Sequence, residues 1–94
     1  MGERRMAKII FTPNIQRHVV CPEAEVTGGS VREALDNAFA SNPQARSYVL
    51  DDQAALRRHM TIFVDGSAIR DRARLSDPVA ANSTIYVFQA LSGG

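Results

Sequence analysis

The chain has 94 residues, of which 45% are hydrophobic and 22% charged, a composition typical of one globular domain with a single core. Acidic and basic residues are interspersed and the formal net charge is +1. Nucleic acid is therefore not expected as a partner, because phosphate binding requires a concentrated basic face. No apolar run reaches the ~20 residues of a membrane span, we find no signal-peptide pattern, and the single cysteine allows neither an internal disulfide nor a zinc cluster. We expect a cytoplasmic protein that binds no membrane and no metal.

The first quarter of the sequence predicts an arm and a hairpin. Residues 1–7 are mostly polar and are expected to form a flexible N-terminal arm. Residues 8–12 form a short run rich in β-branched side chains that ends at Pro13-Asn14. This pattern predicts a strand followed by a turn. Residues 18–21 stop at Pro22 and predict a second strand that pairs with the first.

The clearest helix signal follows Gly28-Gly29. Ser30 is placed to be an N-cap and Glu33 lies three residues later, the capping-box pattern in which each side chain bonds the backbone N–H of the other residue. Apolar residues then recur at helical spacing and form one stripe: Val31, Ala34, Leu35, Ala38 and Phe39. The helix is expected to end near Ser41-Asn42, because Pro43 cannot continue it.

The segment 44–59 gives a weaker pattern. Residues 48–50 resemble a short buried segment, and residues 51–59 are compatible with a helical turn or an irregular loop. Residues 60–64 are a strong strand prediction, and Asp65-Gly66 favours a type I′ turn that returns the chain as a short strand over residues 67–69. Val79 is expected to enter the core from a 3₁₀ turn, and residues 84–89 predict the last strand.

This element order predicts an α+β domain over residues 8–89. A hairpin, a helix that crosses one sheet face, and further strands give two layers. If the first and last strands are adjacent and parallel in the centre, the arrangement is a β-grasp (ubiquitin-like) fold, with a mixed sheet of four to five strands and one main helix packed on one face. Residues 90–94 would then form a flexible C-terminal diglycine tail that leaves from the last strand.

The sequence closes with Ala90-Leu91-Ser92-Gly93-Gly94. Glycine has no Cβ and adopts backbone conformations closed to other residues, so Gly93-Gly94 could enter a narrow channel. Five extended residues reach at most about 17 Å. That reach is enough to carry a carboxylate from a folded domain into the active site of another protein. A frayed terminus or a truncated Gly/Ser linker would give the same pattern.

The sequence resembles the MoaD/ThiS family of ubiquitin-like sulfur carriers, which includes the small subunit of molybdopterin synthase and the carriers of thiamine and cysteine synthesis. The resemblance extends over almost the whole chain from Lys8. Its motifs are Ser-Val-Arg-Glu-Ala-Leu at 30–35, Phe-Val-Asp-Gly at 63–66, the segment 79–85 and Leu-Ser-Gly-Gly at 91–94. Segment 79–85 has the family's spacing of a buried apolar residue, a turn and the last strand, with Asn82-Ser83 in place of the family's Gly-Asp.

The resemblance implies that Gly94 is the reactive residue and Gly93 the conformational one. An adenylating, E1-like partner enzyme would use ATP to convert the Gly94 carboxylate to an acyl-adenylate. A persulfide or sulfide would then displace AMP and leave a thiocarboxylate, which hands sulfur to a synthase subunit. The chain has no Walker-type loop of its own. It is therefore expected to bind no cofactor and to be a co-substrate rather than an enzyme.

One position departs from the family pattern. Many members carry Pro-Pro or Pro-Ala where this chain has Gln89-Ala90, which predicts a more flexible tail and leaves the pathway open. The 44–59 insert makes the chain longer than the compact thiamine carriers, so molybdopterin or cysteine synthesis is favoured over thiamine. Two alternatives stay open: a ubiquitin-like modifier that forms an isopeptide bond through Gly94, and a β-grasp interaction module without activation.

Strand alternation predicts a partner-binding surface near the tail. Ile85 and Val87 would face the helix, whereas Tyr86 and Phe88 would lie on the open sheet face, where aromatic residues often anchor partners. Thr61 and Phe63 would extend this surface, and Leu91 would add to it from the tail. The competing interpretation is that residues 44–59 cover these side chains.

Other chemistry-bearing residues give weaker predictions. Two basic groups flank the third and fourth strands: Arg57-Arg58-His59, and Arg70, Arg72 and Arg74. They could contact an acidic partner, but a solvated face is favoured. His18 and His59 lack companion metal ligands. Cys21 is expected inside a strand as a buried core residue rather than a sulfur relay, and Asp51-Asp52 as a loop-end cap.

Overall fold

The computed structural model describes residues 6–90, which form one five-stranded mixed sheet in the order β2-β1-β5-β3-β4. In chain order the elements are β1 (Ala7–Phe11), α1 (Pro13–Gln16), β2 (Ala24–Val26), α2 (Val31–Phe39), α3 (Pro43–Val49), β3 (Met60–Val64), β4 (Ser67–Ala68) and β5 (Thr84–Gln89).

The first and last strands lie side by side in the middle of the sheet. β1 and β5 are parallel, with Ile9 opposite Ile85 and Phe11 opposite Val87. β5 also pairs antiparallel with β3, while β2 and β4 are antiparallel edge strands. The prediction of an α+β fold of the β-grasp type, with its central parallel pair, is confirmed.

The main helix, α2, begins where the capping pattern placed it. The Glu33 N–H donates to Ser30 Oγ at 3.2 Å, and the Glu33 carboxylate accepts the N–H of Gly29 at 2.8 Å. The sequence pattern assigned that second bond to the Ser30 N–H, so the box closes one residue earlier than expected. The predicted stripe is buried except for Ala38, which is half-buried.

The core lies between α2, α3 and one face of the sheet. Ile9, Ile62, Ile85 and Val87 supply the sheet side and are fully buried. Coil residues also reach it: Val79 is buried next to the isolated bridge residue Pro78, and its N–H donates to the Gly29 carbonyl at 3.0 Å. The 3₁₀ turn expected there is not formed, because the bridge between Ser30 and Pro78 fixes this segment against the start of α2.

The predicted second strand over residues 18–21 is wrong. Thr12 begins a helical turn in which Pro13 occupies the first position, which suits a residue without an N–H. The second strand starts only at Ala24, opposite Ile9. Extending that register would place Pro22 opposite Phe11, and proline cannot donate to the ladder. Residues 18–21 therefore form turn and coil that connect α1 to β2.

The ambiguous segment resolves into a third helix and a loop. Asn42 caps α3 by accepting the Ala45 N–H at 3.2 Å, with Pro43 at the first helical position. Val49 and Leu50 are buried, as the sequence suggested for residues 48–50. The following loop is irregular and is closed by a bridge between Leu50 and Leu56. The Asn-Pro pair therefore ends one helix and also starts the next.

Candidate functional site

The chain leaves the fold from the centre of the sheet. β5 has a hydrogen-bonded neighbour on each side, and its last residue, Gln89, lies opposite Met60 of β3. Ala90 follows and donates its N–H to the His59 carbonyl at 2.9 Å. The predicted reactive residues Gly93 and Gly94, and Leu91, lie outside the described residues. The structure thus describes the first residue of the predicted tail, Ala90, and the strand from which the tail leaves.

The open face of the sheet carries an apolar surface next to this point. Tyr86 and Phe88 are 43% and 46% exposed, which is high for aromatic side chains on a central strand. Phe63 lies opposite Tyr86 on β3, and its ring meets Phe88 edge to face with centroids 6.4 Å apart. Ile10, half-buried, lies opposite Tyr86 on β1. We call these four residues the open-face patch.

Segment 44–59 does not cover the open-face patch. Gln89 follows Ile85 and Val87 along the helix-facing side of β5, and its side chain bonds Tyr48 of α3 at 2.9 Å. α3 therefore lies on the same side of the sheet as α2. The exposed orientation predicted for Tyr86 and Phe88 is observed, whereas partner binding by these residues stays a prediction. Ile10 was missed because strand alternation was applied only to β3 and β5.

Two arginines of the two basic groups bind backbone carbonyls. Arg72 Nη2 donates to the carbonyls of Arg57 at 2.8 Å and Arg58 at 3.2 Å. Arg57 Nε donates to the Ser47 carbonyl at 2.9 Å. Arg57 thus ties the loop before β3 to α3, and Arg72 ties the segment after β4 to that same loop. Arg58, Arg70 and Arg74 are exposed, as expected for the solvated face that the sequence favoured.

Cys21 is buried at 2% exposure but lies in coil rather than in a strand. Burial raises the pKa of its thiol to about 11, so the thiolate needed for sulfur transfer is scarce at neutral pH. Its side chain lines a cleft of about 480 Å³ between the 20–24 segment and the end of α2. This environment fits the predicted core role and not a sulfur relay.

Within residues 6–90 there is no group of three or more His, Cys, Asp or Glu side chains placed to hold a metal ion. His18 and His59 instead lie against the ring of Tyr48, with centroids 5.7 Å and 6.5 Å from it. None of the helices in that part of the chain is long and apolar enough to cross a membrane.

Comparison with known proteins gives matches among solved structures alone. No family model and no curated protein matches the chain. SAMP1 from Haloferax volcanii aligns with a TM-score of 0.78 and 22% identity over 95% of this chain and 99% of its own. A chain of the BexX/CysO complex of Amycolatopsis orientalis gives 0.78 and 18% over 94% and 99%.

Small archaeal modifier protein 1 (SAMP1) from Methanosarcina acetivorans gives a TM-score of 0.76 and 20% identity over 99% of this chain and all of its own. At such identities the likeness concerns the fold. The alignments span nearly the full length of this chain and of the similar structures. The comparison therefore supports the fold implied by the sequence motifs: the chain has the β-grasp fold that these structures share.

Proposed function

We propose that this protein is a sulfur carrier whose Gly94 carboxylate is adenylated by a partner enzyme and converted to a thiocarboxylate. The observation that carries the proposal is the position of β5. It brings the chain through the centre of the sheet to Ala90, two residues beyond Phe88 of the open-face patch. Leu91-Ser92-Gly93-Gly94 follows directly in sequence. Docking surface and reactive end are thus consecutive parts of one chain.

Docking on the open-face patch would leave the arm free to reach a partner's active site. Four extended residues beyond Ala90 span at most about 14 Å, so the adenylating site must lie that close to the docked sheet. Holding both reactants in one complex makes the attack on ATP effectively intramolecular. The partner supplies the ATP site and the catalytic groups, and this chain acts as co-substrate and binds no cofactor of its own.

The chemistry proceeds in two steps. A Gly94 carboxylate oxygen attacks the α-phosphorus of ATP, which gives the acyl-adenylate and releases pyrophosphate. Hydrosulfide then adds to the acyl carbon, the acyl–oxygen bond to AMP breaks, and the thiocarboxylate remains with loss of a proton. With a persulfide donor, an acyl disulfide forms first. A second thiol then attacks the donor's sulfur, the S–S bond breaks, and the thiocarboxylate leaves while the donor and the thiol remain joined as a disulfide. A sulfur-accepting synthase subunit in molybdopterin or cysteine synthesis, rather than thiamine synthesis, would consume the thiocarboxylate in the cytoplasm.

A protein modifier is the second candidate, and one observation favours it. Solved structures that share the fold include a protein named as a small archaeal modifier. Both functions share the adenylate, and they diverge when a lysine amine rather than sulfur attacks the acyl carbon. An interaction module without activation is the third candidate and requires no adenylate at all.

Intact-mass analysis of the protein purified from its native host tests the proposal. The carrier function predicts a species heavier by the exchange of one oxygen for sulfur, which disappears when Gly94 is deleted. Ser92→Ala, which leaves both glycines in place, is the matched control and should keep the shift. Conjugates of high mass that survive reducing gels would support the modifier instead. Failure to form an adenylate with ATP and the host's adenylating enzymes would overturn both.

A further inference from the structure

Tyr48 joins the third helix to the last residue of the central strand. It is half-buried on α3 and packs against the core. Its hydroxyl donates to Gln89 Oε1 at 2.9 Å, a contact between residues 41 positions apart in sequence. Both ends of this bond are partly shielded from water, which strengthens it relative to an exposed pair.

The position of Tyr48 is itself fixed from several directions. The His18 ring stacks on one face with an interplanar angle of 22°, and His59 meets it edge-on at 85°. The backbone on both sides is also tied to Arg57: its Nε donates to the Ser47 carbonyl at 2.9 Å, and its N–H donates to the Val49 carbonyl at 3.1 Å. The hydroxyl therefore reaches Gln89 from a side chain that has contacts on several sides.

A second hydrogen bond meets the chain one residue later. The Ala90 N–H donates to the His59 carbonyl at 2.9 Å, which continues the β3–β5 ladder beyond Gln89. A residue of α3 thus binds the Gln89 side chain, and the residue before β3 binds the Ala90 backbone. Ordering a residue costs conformational entropy, and here the fold has ordered both residues before any partner binds.

We propose that Tyr48 is a positioning residue for the C-terminal arm: through Gln89, and together with the His59 carbonyl on Ala90, it fixes the base of the arm so that its direction is set before docking. This role rests on the proposed function. With Gln89 and Ala90 held by the fold, fewer residues have to be ordered on docking, which raises the fraction of docked complexes in which Gly94 reaches ATP. Because the open-face patch is untouched, Tyr48 acts on the turnover step and not on docking.

Tyr48→Phe in the full-length chain tests the role, because it removes the hydroxyl and keeps the ring between the two histidines. We expect faster hydrogen exchange at the Ala90 amide. In pyrophosphate-release assays with the host's adenylating enzyme, kcat should fall about two- to tenfold, the range expected for one hydrogen bond, with KM for the carrier unchanged. Gln89→Met removes the acceptor instead and should give the same result, and the double variant should be no worse than either single one. Gln53→Met, at an exposed loop position, is the matched control and should behave as wild type.

The outcomes separate this role from the proposed function. Adenylation of the wild type together with unchanged kcat in both variants would overturn the role of Tyr48 alone, as would a rise in KM without a fall in kcat. Absence of adenylation in every protein, wild type included, would overturn the proposed function and this role with it. If Tyr48→Phe lowers the melting temperature, Gln89→Met decides the matter, since it leaves the ring packing intact.

Discussion

Adjacent side chains on β5 have opposite environments, and this contrast defines what a single substitution should do. Val87 is fully buried, whereas Phe88 is 46% exposed and touches Phe63 on the open face. We predict that Phe88→Ala weakens binding to the activating enzyme by about 2 kcal/mol or more, as for an aromatic hot spot. The melting temperature should change little, because much of the ring is already in water. Isothermal titration calorimetry and a thermal melt measure the two quantities.

Val20→Ala provides the control for that substitution. Val20 is 78% exposed but lies in the coil before β2, away from the open-face patch. Truncating it also removes exposed apolar surface, so binding should stay at the wild-type level. Equal losses in both variants would show that the effect is not specific to the patch. Loss of cooperative melting in Phe88→Ala would place the ring in the core and refute its assignment as a docking residue.

At the scale of elements, the entry to α2 depends on one glycine of the Gly28-Gly29 pair. Gly28 has a φ of +156°, and a Cβ built on it would lie 2.8 Å from the Ala34 backbone nitrogen. The same atom on Gly29 would meet only Glu33 Oε1, at 3.7 Å. We therefore predict that Gly28→Ala lowers the free energy of unfolding by about 1–3 kcal/mol, the usual cost of a strained backbone.

Gly29→Ala is the matched control, since it adds the same methyl group one residue away. Its effect on urea unfolding should stay within about 0.5 kcal/mol, typical of surface substitutions. Equal destabilisation by both variants would show that the segment before α2 requires general flexibility rather than space at one position.

The elements that could be predicted are those whose signals are local. The boundaries of α2 follow from Ser30, Glu33 and the apolar spacing, and β3 from a β-branched run that ends at Asp65-Gly66. The strand prediction for residues 18–21 was wrong because a strand requires a hydrogen-bonded neighbour. In the observed β1–β2 register, Pro22 would lie where the ladder would have to continue. The predicted antiparallel pairing of the first two strands is present, but its second strand is Ala24–Val26 rather than residues 18–21.

In the candidate site, too, only the features with a local sequence signal could be predicted. Alternation along β5 was enough to place Tyr86 and Phe88 on the open face. The bond from Tyr48 to Gln89 could not be foreseen, because it depends on α3 and β5 meeting in space across 41 residues of sequence. The start of α3 itself had a local signal, Asn42-Pro43, which had been interpreted only as the end of the preceding helix.

For the whole molecule, four loop aspartates link stability to pH. Each has its pKa held below the usual value, mainly by hydrogen bonds to the charged carboxylate: from the Ala55 N–H to Asp51, the Thr84 N–H to Asp65, the Ser76 hydroxyl to Asp71, and the Arg70 N–H to Asp77. A depressed folded pKa stabilises the fold above the unfolded value of about 3.9 and loses that contribution as the pH falls through the folded pKa. The urea midpoint should therefore stay level from about pH 7 to 5 and fall steadily below about pH 4.

Asp77→Asn shows whether these hydrogen bonds cause the acid loss. The Asp77 carboxylate accepts the N–H groups of Arg70 and Asp71 at 2.8–3.1 Å, and a neutral amide accepts them more weakly. The variant should have a lower urea midpoint than wild type at pH 7, and the difference should shrink as the pH falls through the lowered pKa of Asp77, because the wild-type carboxyl then becomes neutral too. Asp52→Asn, at an exposed neighbour of the Asp51 cap, should follow wild type throughout. A gap for Asp77→Asn that stays constant with pH would mean that the substitution acts through packing, and that these carboxylates do not set the acid limit of the fold.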